Sequence, residues 1–382
     1  MPNLRIRLQN KPFKHYLVKS SKKIHGWFAW PKRECSCERF LLNPYNGCSL
    51  GCFYCYSRAL PGYFQEFHRN GRVFVFEEFD KLVASQLDSI DIGFCGYLSP
   101  VTEPFQKIDK FYNLSAKLVK VFIERNLPIE FITKERVPQE VINLIRTQEH
   151  SFGQISILSP DSKLNRLLSP GADLEVLFAN IRRLTDQGVY SVARIDPILP
   201  FISDDKKGLT RLMTRISQEG VKHVVASVLD IPPRIKGYVL TKIARLFGRH
   251  IKDKYLSLYK EKIGYLNACI DYRKEVFGFL RKQADSLGLT FSLCMEYESQ
   301  KGNIIGLNKQ FSSALNCEGL NIPIYKRKGG RFYPQQGCRG NCLSCSEAVC
   351  GIDELAYAKT KKPLALKYSD YRRFSKIQTI TD

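Results

Sequence analysis

No apolar run in these 382 residues approaches the roughly eighteen that a membrane-crossing helix needs. The first residues are basic but lack a continuous apolar segment, so a secretion leader is not expected. Acidic residues are missing altogether from residues 1–33 and scarce elsewhere, with 37 Asp and Glu against 59 Lys and Arg and a formal charge of +22. Without a leader, the 13 cysteines are not expected to pair as disulfides. They point to metal and reduced thiols, and so to a reducing cytoplasm and no membrane. An apolar content of 44% is enough for a full core. The length allows one large α/β domain with appendages, or two ordinary domains.

The basic excess is clustered. Arg5, Arg7, Lys11, Lys14, Lys19, Lys22, Lys23, Lys32 and Arg33 are interleaved with Phe13, Tyr16, Trp27, Phe28 and Trp30. Cations offset phosphate charge and aromatic faces stack on bases, so this is the composition of a nucleic-acid arm. Further basic sets run over Lys242, Arg245, Arg249, His250, Lys252 and Lys254, and over Lys326, Arg327, Lys328 and Arg331. A plainly solvated basic surface is the competing reading.

One stretch carries chemistry on its face: Asn43-Pro44-Tyr45-Asn46-Gly47-Cys48-Ser49-Leu50-Gly51-Cys52-Phe53-Tyr54-Cys55-Tyr56-Ser57-Arg58. Cys48, Cys52 and Cys55 stand at C-x3-C-x2-C spacing in a loop marked as irregular by Pro44, Gly47 and Gly51. Zinc usually takes four protein ligands, and a fourth cysteine at matching distance is missing. A [4Fe–4S] cluster on three cysteines leaves one iron open, where a substrate or cofactor can bind.

This string resembles the signature of the radical S-adenosylmethionine (SAM) superfamily, and more narrowly its spore photoproduct lyase-like ("DNA repair photolyase"-like) branch. The resemblance implies that the open iron binds the amino and carboxylate groups of SAM. One electron from the cluster then cleaves SAM to a 5′-deoxyadenosyl radical, which abstracts hydrogen from a substrate. A flavodoxin- or ferredoxin-type electron donor is implied with it.

The chain between residues 34 and 240 reads as alternating strands and helices. Strands are expected at Arg39–Leu42, Asp91–Ser99, Pro128–Lys134, Gly153–Ser159, Tyr190–Ile198 and Val221–Leu229. Helices are expected at 77–90, 109–126, 138–148 and 173–187. Six such units argue for a parallel sheet covered by helices. The resemblance implies a partial (β/α)6 TIM-like barrel with its chemistry at the strands' carboxyl ends. The expected organisation is a basic arm at 1–37, the core at 38–240, a helical segment with one more strand (Gly288–Met295) at 241–310, and a Cys-rich extension at 311–382.

Within that frame the resemblance implies cofactor contacts from Tyr54 and Tyr56 in the loop and from Ser99, Thr102 and Glu103 after the second strand. In Ser99–Gln106, Glu103 and Phe105 stand where the branch has Asp and Tyr. Thr102 and Glu103 also suit helix capping. Lys134 ends the third strand and can pair with the SAM carboxylate. Ser156 lies in the fourth. Arg194 and Asp196 occupy the fifth, ahead of a Pro197-Ile198-Leu199-Pro200 string like that of the branch. Charges inside an apolar strand are costly unless paired, so these two are a mutual ion pair or site residues. Leu168-Ser169-Pro170 departs from the branch's L-E-P. Where the lyase carries a hydrogen-donating cysteine, this chain has Tyr97, with Cys95 two residues upstream on the same strand face.

Gly337–Cys345 repeats C-x3-C-x2-C with Cys338, Cys342 and Cys345, and here a fourth thiol is on offer: Cys350, with Cys317 or Cys294 as alternatives. Four thiolates suit a second [4Fe–4S] cluster or a structural zinc. Cys35 and Cys37 have no assignment. Two classes of function follow. One is a radical SAM enzyme, acting on nucleic acid or another substrate, with lesion repair in DNA as one case. The other is a non-catalytic iron–sulfur or zinc protein that binds nucleic acid.

Overall fold

The computed structural model describes residues 6–11, 13–26, 37–360 and 366–378. Trp27, Phe28, Trp30, Lys32, Arg33, Arg5 and Cys35 therefore lie outside the described residues.

Seven strands form one sheet, all neighbours parallel: β1 (Arg39–Leu42), β2 (Cys95–Leu98), β3 (Ile129–Thr133), β4 (Phe152–Ser156), β5 (Tyr190–Ile198), β6 (His223–Val228) and β7 (Thr290–Leu293). Their spatial order is their chain order. Sequential neighbours in a parallel sheet are the connectivity of a barrel wound in one direction, which separates it from an open sheet that reverses at a switch point. The fold is thus the expected partial barrel, with the further strand β7 extending it.

Strands β1 to β4 and β6 are almost wholly buried, because helices cover one face and the barrel interior fills the other. Outer helices include α1 (Phe79–Leu87), α2 (Leu114–Glu124), α3 (Gln139–Ile145), α4 (Leu174–Thr185), α5 (Lys206–Gln218), α6 (Lys236–Phe247) and α7 (Ile270–Ser286). On α4 the buried residues Leu174, Leu177, Phe178, Ile181 and Leu184 follow helical spacing.

Two expected elements divide. Asp91–Ser99 splits at Phe94: Ile92–Gly93 pairs antiparallel with Tyr325 and Lys326 of the C-terminal extension, while Cys95–Leu98 enters the barrel. The expected helix 109–126 breaks at Asn113, which takes φ 51° between Asp109–Tyr112 and α2.

The described part of the basic arm is a hairpin, Ile6–Gln9 with His15–Lys19. His15–Lys19 continues parallel to Phe74–Glu77, which pairs with Tyr45–Asn46 at the entrance to the cysteine loop. Among the described residues no helix is long and apolar enough to cross a membrane.

Candidate active site

The cysteine loop leaves the carboxyl end of β1 and is held by its own backbone and by two side chains. Arg58 donates through Nε to Cys52 O at 3.0 Å and through Nη2 to Gly51 O at 2.9 Å. Gln106 donates to Gly47 O at 3.2 Å and accepts from Ser49 N at 3.1 Å. Gly47 has φ +94°, and a Cβ there would meet the Phe67 ring at 2.5 Å, so only glycine fits. Cys52 is buried, and Cys48 and Cys55 are half-buried. Burial pushes the Cys48 and Cys52 thiols up, and the Lys134 ammonium works against this at Cys52. Three thiols with a cation beside them are donors for a metal that displaces their protons. Among the described residues no three Cys, His, Asp or Glu side chains close around a single ion.

The strand ends opposite the loop bring most of the expected residues together. Lys134 Nζ donates to Ser156 Oγ at 2.6 Å, across the ends of β3 and β4. Arg194 pairs with Asp196 along β5, and Asp196 accepts from Ser227 Oγ on β6. Burial alone would raise the Asp196 carboxyl, but the Arg194 guanidinium and the Ser227 hydroxyl outweigh it and hold the carboxyl below its usual range. Tyr56 donates to Pro100 O at 3.0 Å, bridging the loop to the segment after β2.

Glu103 has a different place from the one expected. Its Oε1 accepts from Thr133 Oγ1 at 2.5 Å and Phe105 N at 3.1 Å, and its Oε2 accepts from Lys134 N at 2.9 Å. The carboxylate braces the backbone that presents Lys134, and burial pushes it up to about 7.

A chain of buried polar groups climbs the barrel interior. Arg39, at the start of β1, is 1% exposed and pairs with Glu130 on β3 and with Glu318 from the extension. Gln154 on β4 donates to Glu130 at 2.6 Å, and Arg194 donates to Gln154 at 2.9 Å. Thus β1, β3, β4 and β6 each contribute one residue and β5 two, from floor to mouth. Glu130 and Gln154 carry the same signal as Arg194, a polar residue inside an apolar strand. Glu318 carries none, because it comes from a loop.

Tyr97 faces this interior near Arg194, Glu130 and Cys294. Cys95 does not reach the mouth. It is in register with Arg39, lies among Arg39, Glu130 and Glu318, and is a strand length, roughly 10 Å, below the loop. Cys294 is displaced from its expected role as well. It follows β7 at the mouth, in electrostatic reach of Arg194, Tyr97 and Tyr56, and so belongs with the first cysteine loop and not the second. Cys317 sits at the floor, where its carbonyl accepts from His223 at 3.1 Å.

Residues 42–213 match the family model for the radical SAM superfamily. That segment is a radical SAM domain. Among the chain's relatives is the "Radical SAM Nalpha-GlyT isomerase" of Pseudomonas phage M6, 25% identical over 386 residues, covering 94% of this chain and 78% of the relative. An uncharacterised protein of Mycobacterium tuberculosis is 21% identical over 237 residues, covering 58% of this chain and 67% of its own. Among solved structures, a point mutant of spore photoproduct lyase superposes with a TM-score of 0.51 at 15% identity, over 69% of this chain and 79% of the lyase.

The residues present fit a radical SAM cofactor set. Asn43 Oδ1, Ser99 Oγ and Thr102 Oγ1 are buried without a hydrogen-bond partner, and all three stand beside the cysteine loop at the ends of β1 and β2, while the buried Tyr54 hydroxyl lies against the Cys52 thiol. An unsatisfied buried polar atom costs roughly 1–3 kcal/mol. Ser99 also takes φ 54°, unusual outside glycine. Three such atoms beside the cysteine loop, with Lys134 and the Arg194–Asp196 pair at the neighbouring strand ends, supply donors and acceptors for a polar ligand.

Proposed function

We propose that this protein is a radical SAM enzyme that isomerises or otherwise modifies a nucleic-acid constituent by hydrogen abstraction. The cluster of unsatisfied atoms around the cysteine loop carries the cofactor part of the reading. The cofactors, when bound, supply a carbon-centred radical. Cys48, Cys52 and Cys55 hold the iron. Lys134, oriented by Ser156 and by the Glu103 brace, pairs with the SAM carboxylate. Asp196, kept ionised by Arg194 and Ser227, accepts from ammonium or ribose hydroxyls, as do Ser99 and Thr102. Tyr54 and Tyr56 wall the loop. Tyr97, deeper in the interior, faces the substrate side.

Isomerisation takes a hydrogen from one position and returns one, so it needs no net oxidant. A relative named as an isomerase aligns along nearly the whole chain, which supports this reaction class. Basic and aromatic groups support the substrate class. Beside Gly51 and Cys52 lies a cleft of about 370 Å³ lined by Tyr238, Lys242 and Arg245 of α6, with the Arg58 guanidinium 4.9 Å from the Tyr238 ring centre. Lesion repair of the spore photoproduct lyase type is the second reading. The place of Cys95 at the floor counts against it.

The test is anaerobic reconstitution with dithionite and SAM, with and without DNA, assayed for 5′-deoxyadenosine. The expected result is SAM cleavage in the wild type, stimulated by DNA and abolished in Cys48→Ala. An intact cluster that neither perturbs SAM nor cleaves it would sink the enzyme and leave a binding protein.

A further inference from the structure

The second cysteine loop has no part in that reaction, yet it is built like the first. Cys345 N donates to Cys342 O at 3.3 Å, as Cys55 N does to Cys52 O at 3.3 Å. Gly340 takes φ +66°, and a Cβ there would meet the Ile322 backbone at 2.5 Å, so the loop lies hard against the segment that carries Glu318. Cys350 returns to within electrostatic reach of Cys338 and Cys345. Asn341 Oδ1, inside the loop, is buried without a hydrogen-bond partner.

A fifth thiol arrives from the other end of the chain. Cys37 Sγ donates to Gly340 O at 2.6 Å and accepts from Cys342 N at 3.2 Å, across more than 300 residues of sequence. Cys37 is buried and stands two residues before Arg39, at the floor end of β1. Beside it, Glu38 accepts from Tyr371 at 2.8 Å and from Tyr357 at 3.3 Å, and Tyr357 N donates to Cys342 O at 3.0 Å. The second loop, the start of β1 and the Arg39–Glu318 pair are therefore one contiguous packing unit, at the opposite end of the barrel from the SAM loop.

We propose that Cys338, Cys342, Cys345 and Cys350 hold a second [4Fe–4S] cluster beneath the barrel floor, and that Cys37 is the clamp that fastens β1 to it. Four thiols within thirteen residues fill all the corners of such a cluster, so the centre is closed and binds no SAM. The amide of the ligand Cys342 is spent on Cys37, so the geometry of the cluster loop sets the position of the chain two residues before Arg39. Losing the cluster releases the loop, and with it the wall that buries Cys37. This inference stands apart from the proposed reaction, since it uses no residue of the SAM site.

The experiment counts iron, zinc and sulfide per chain and measures alkylation of Cys37 by iodoacetamide under anaerobic conditions. Wild type, Cys48→Ala, Cys350→Ser, Cys342→Ala and Cys37→Ser are compared. About eight irons are expected in the wild type and about four in each of the first three variants. Cys37→Ser is expected to keep about eight. Cys37 should react at least 10-fold faster in Cys350→Ser and Cys342→Ala than in wild type or Cys48→Ala. SAM cleavage retained in Cys350→Ser shows that the barrel is folded, and Cys342→Ala serves where it is not. Four irons in the wild type, alone or with one zinc, overturn the second cluster. Unchanged protection of Cys37 in both loop variants overturns the clamp, and loss of iron in Cys37→Ser makes it a ligand instead.

Discussion

Replacing Lys134 by methionine removes one charge and keeps the length of the stem. The ammonium donates to Ser156 Oγ at 2.6 Å and acts electrostatically on Cys52 and Asp196, so it stands between the cluster loop and the fifth strand. A hydrogen bond to a charged group contributes about 1.5–3 kcal/mol, which is roughly a 10- to 150-fold change in affinity. Lys134→Met is therefore expected to weaken SAM binding by that factor. Ser156→Ala removes only a neutral partner that orients the lysine, about 0.5–1.5 kcal/mol or roughly 2- to 12-fold. The assay is a SAM titration followed by the EPR spectrum of the reduced first cluster, with iron counted in every sample. Affinity within twofold of wild type in Lys134→Met, at full iron content, would refute the pairing of Lys134 with the cofactor carboxylate.

Arg39→Met strands two buried carboxyls, Glu130 and Glu318, and is expected to cost about 3–5 kcal/mol in chemical denaturation. Adding Glu130→Gln and Glu318→Gln should recover most of it, and a single-variant loss under about 1 kcal/mol would mean that the pair is not closed as described. Glu103 sets a pH dependence of stability. Its folded carboxyl holds its proton up to about 7 while the unfolded one ionises near 4.5, so the folded state binds more protons in between. Stability therefore falls as pH rises through that window, by up to about 3 kcal/mol. Glu103→Gln is expected to flatten this slope in melts from pH 5 to 7, and an unchanged slope would assign it to other groups.

How much was legible beforehand follows from how local each feature is. Six barrel strands and four of the helices between them are legible because apolar periodicity is a property of neighbouring residues, while the helix Lys206–Gln218 is not among those expected. The split at Phe94 could not, since it depends on Tyr325 pairing with Gly93 from far along the chain. Lys134 and Ser156, both expected as cofactor contacts, meet each other at 2.6 Å, whereas the oxygens of Glu103, also expected there, are filled by Thr133 and the backbone of Phe105 and Lys134, neighbours that its own sequence position does not announce.

By itself the sequence determined the cysteine loop and the chemistry it admits, because three thiols and two glycines within nine residues form a donor set before any tertiary contact exists. It also determined that the core is a parallel sheet covered by helices, through the alternation of strand and helix. Only the tertiary structure decided that the sheet winds in one direction, and which polar groups are partners and which are left over. Glu318 reaches Arg39 across 279 residues, Cys37 meets Gly340 across 303, and Cys95 and Cys294 end at opposite ends of the same barrel. Side-chain pairing in the interior depends on strand register and on what the last third of the chain places under the floor. Periodicity carries neither.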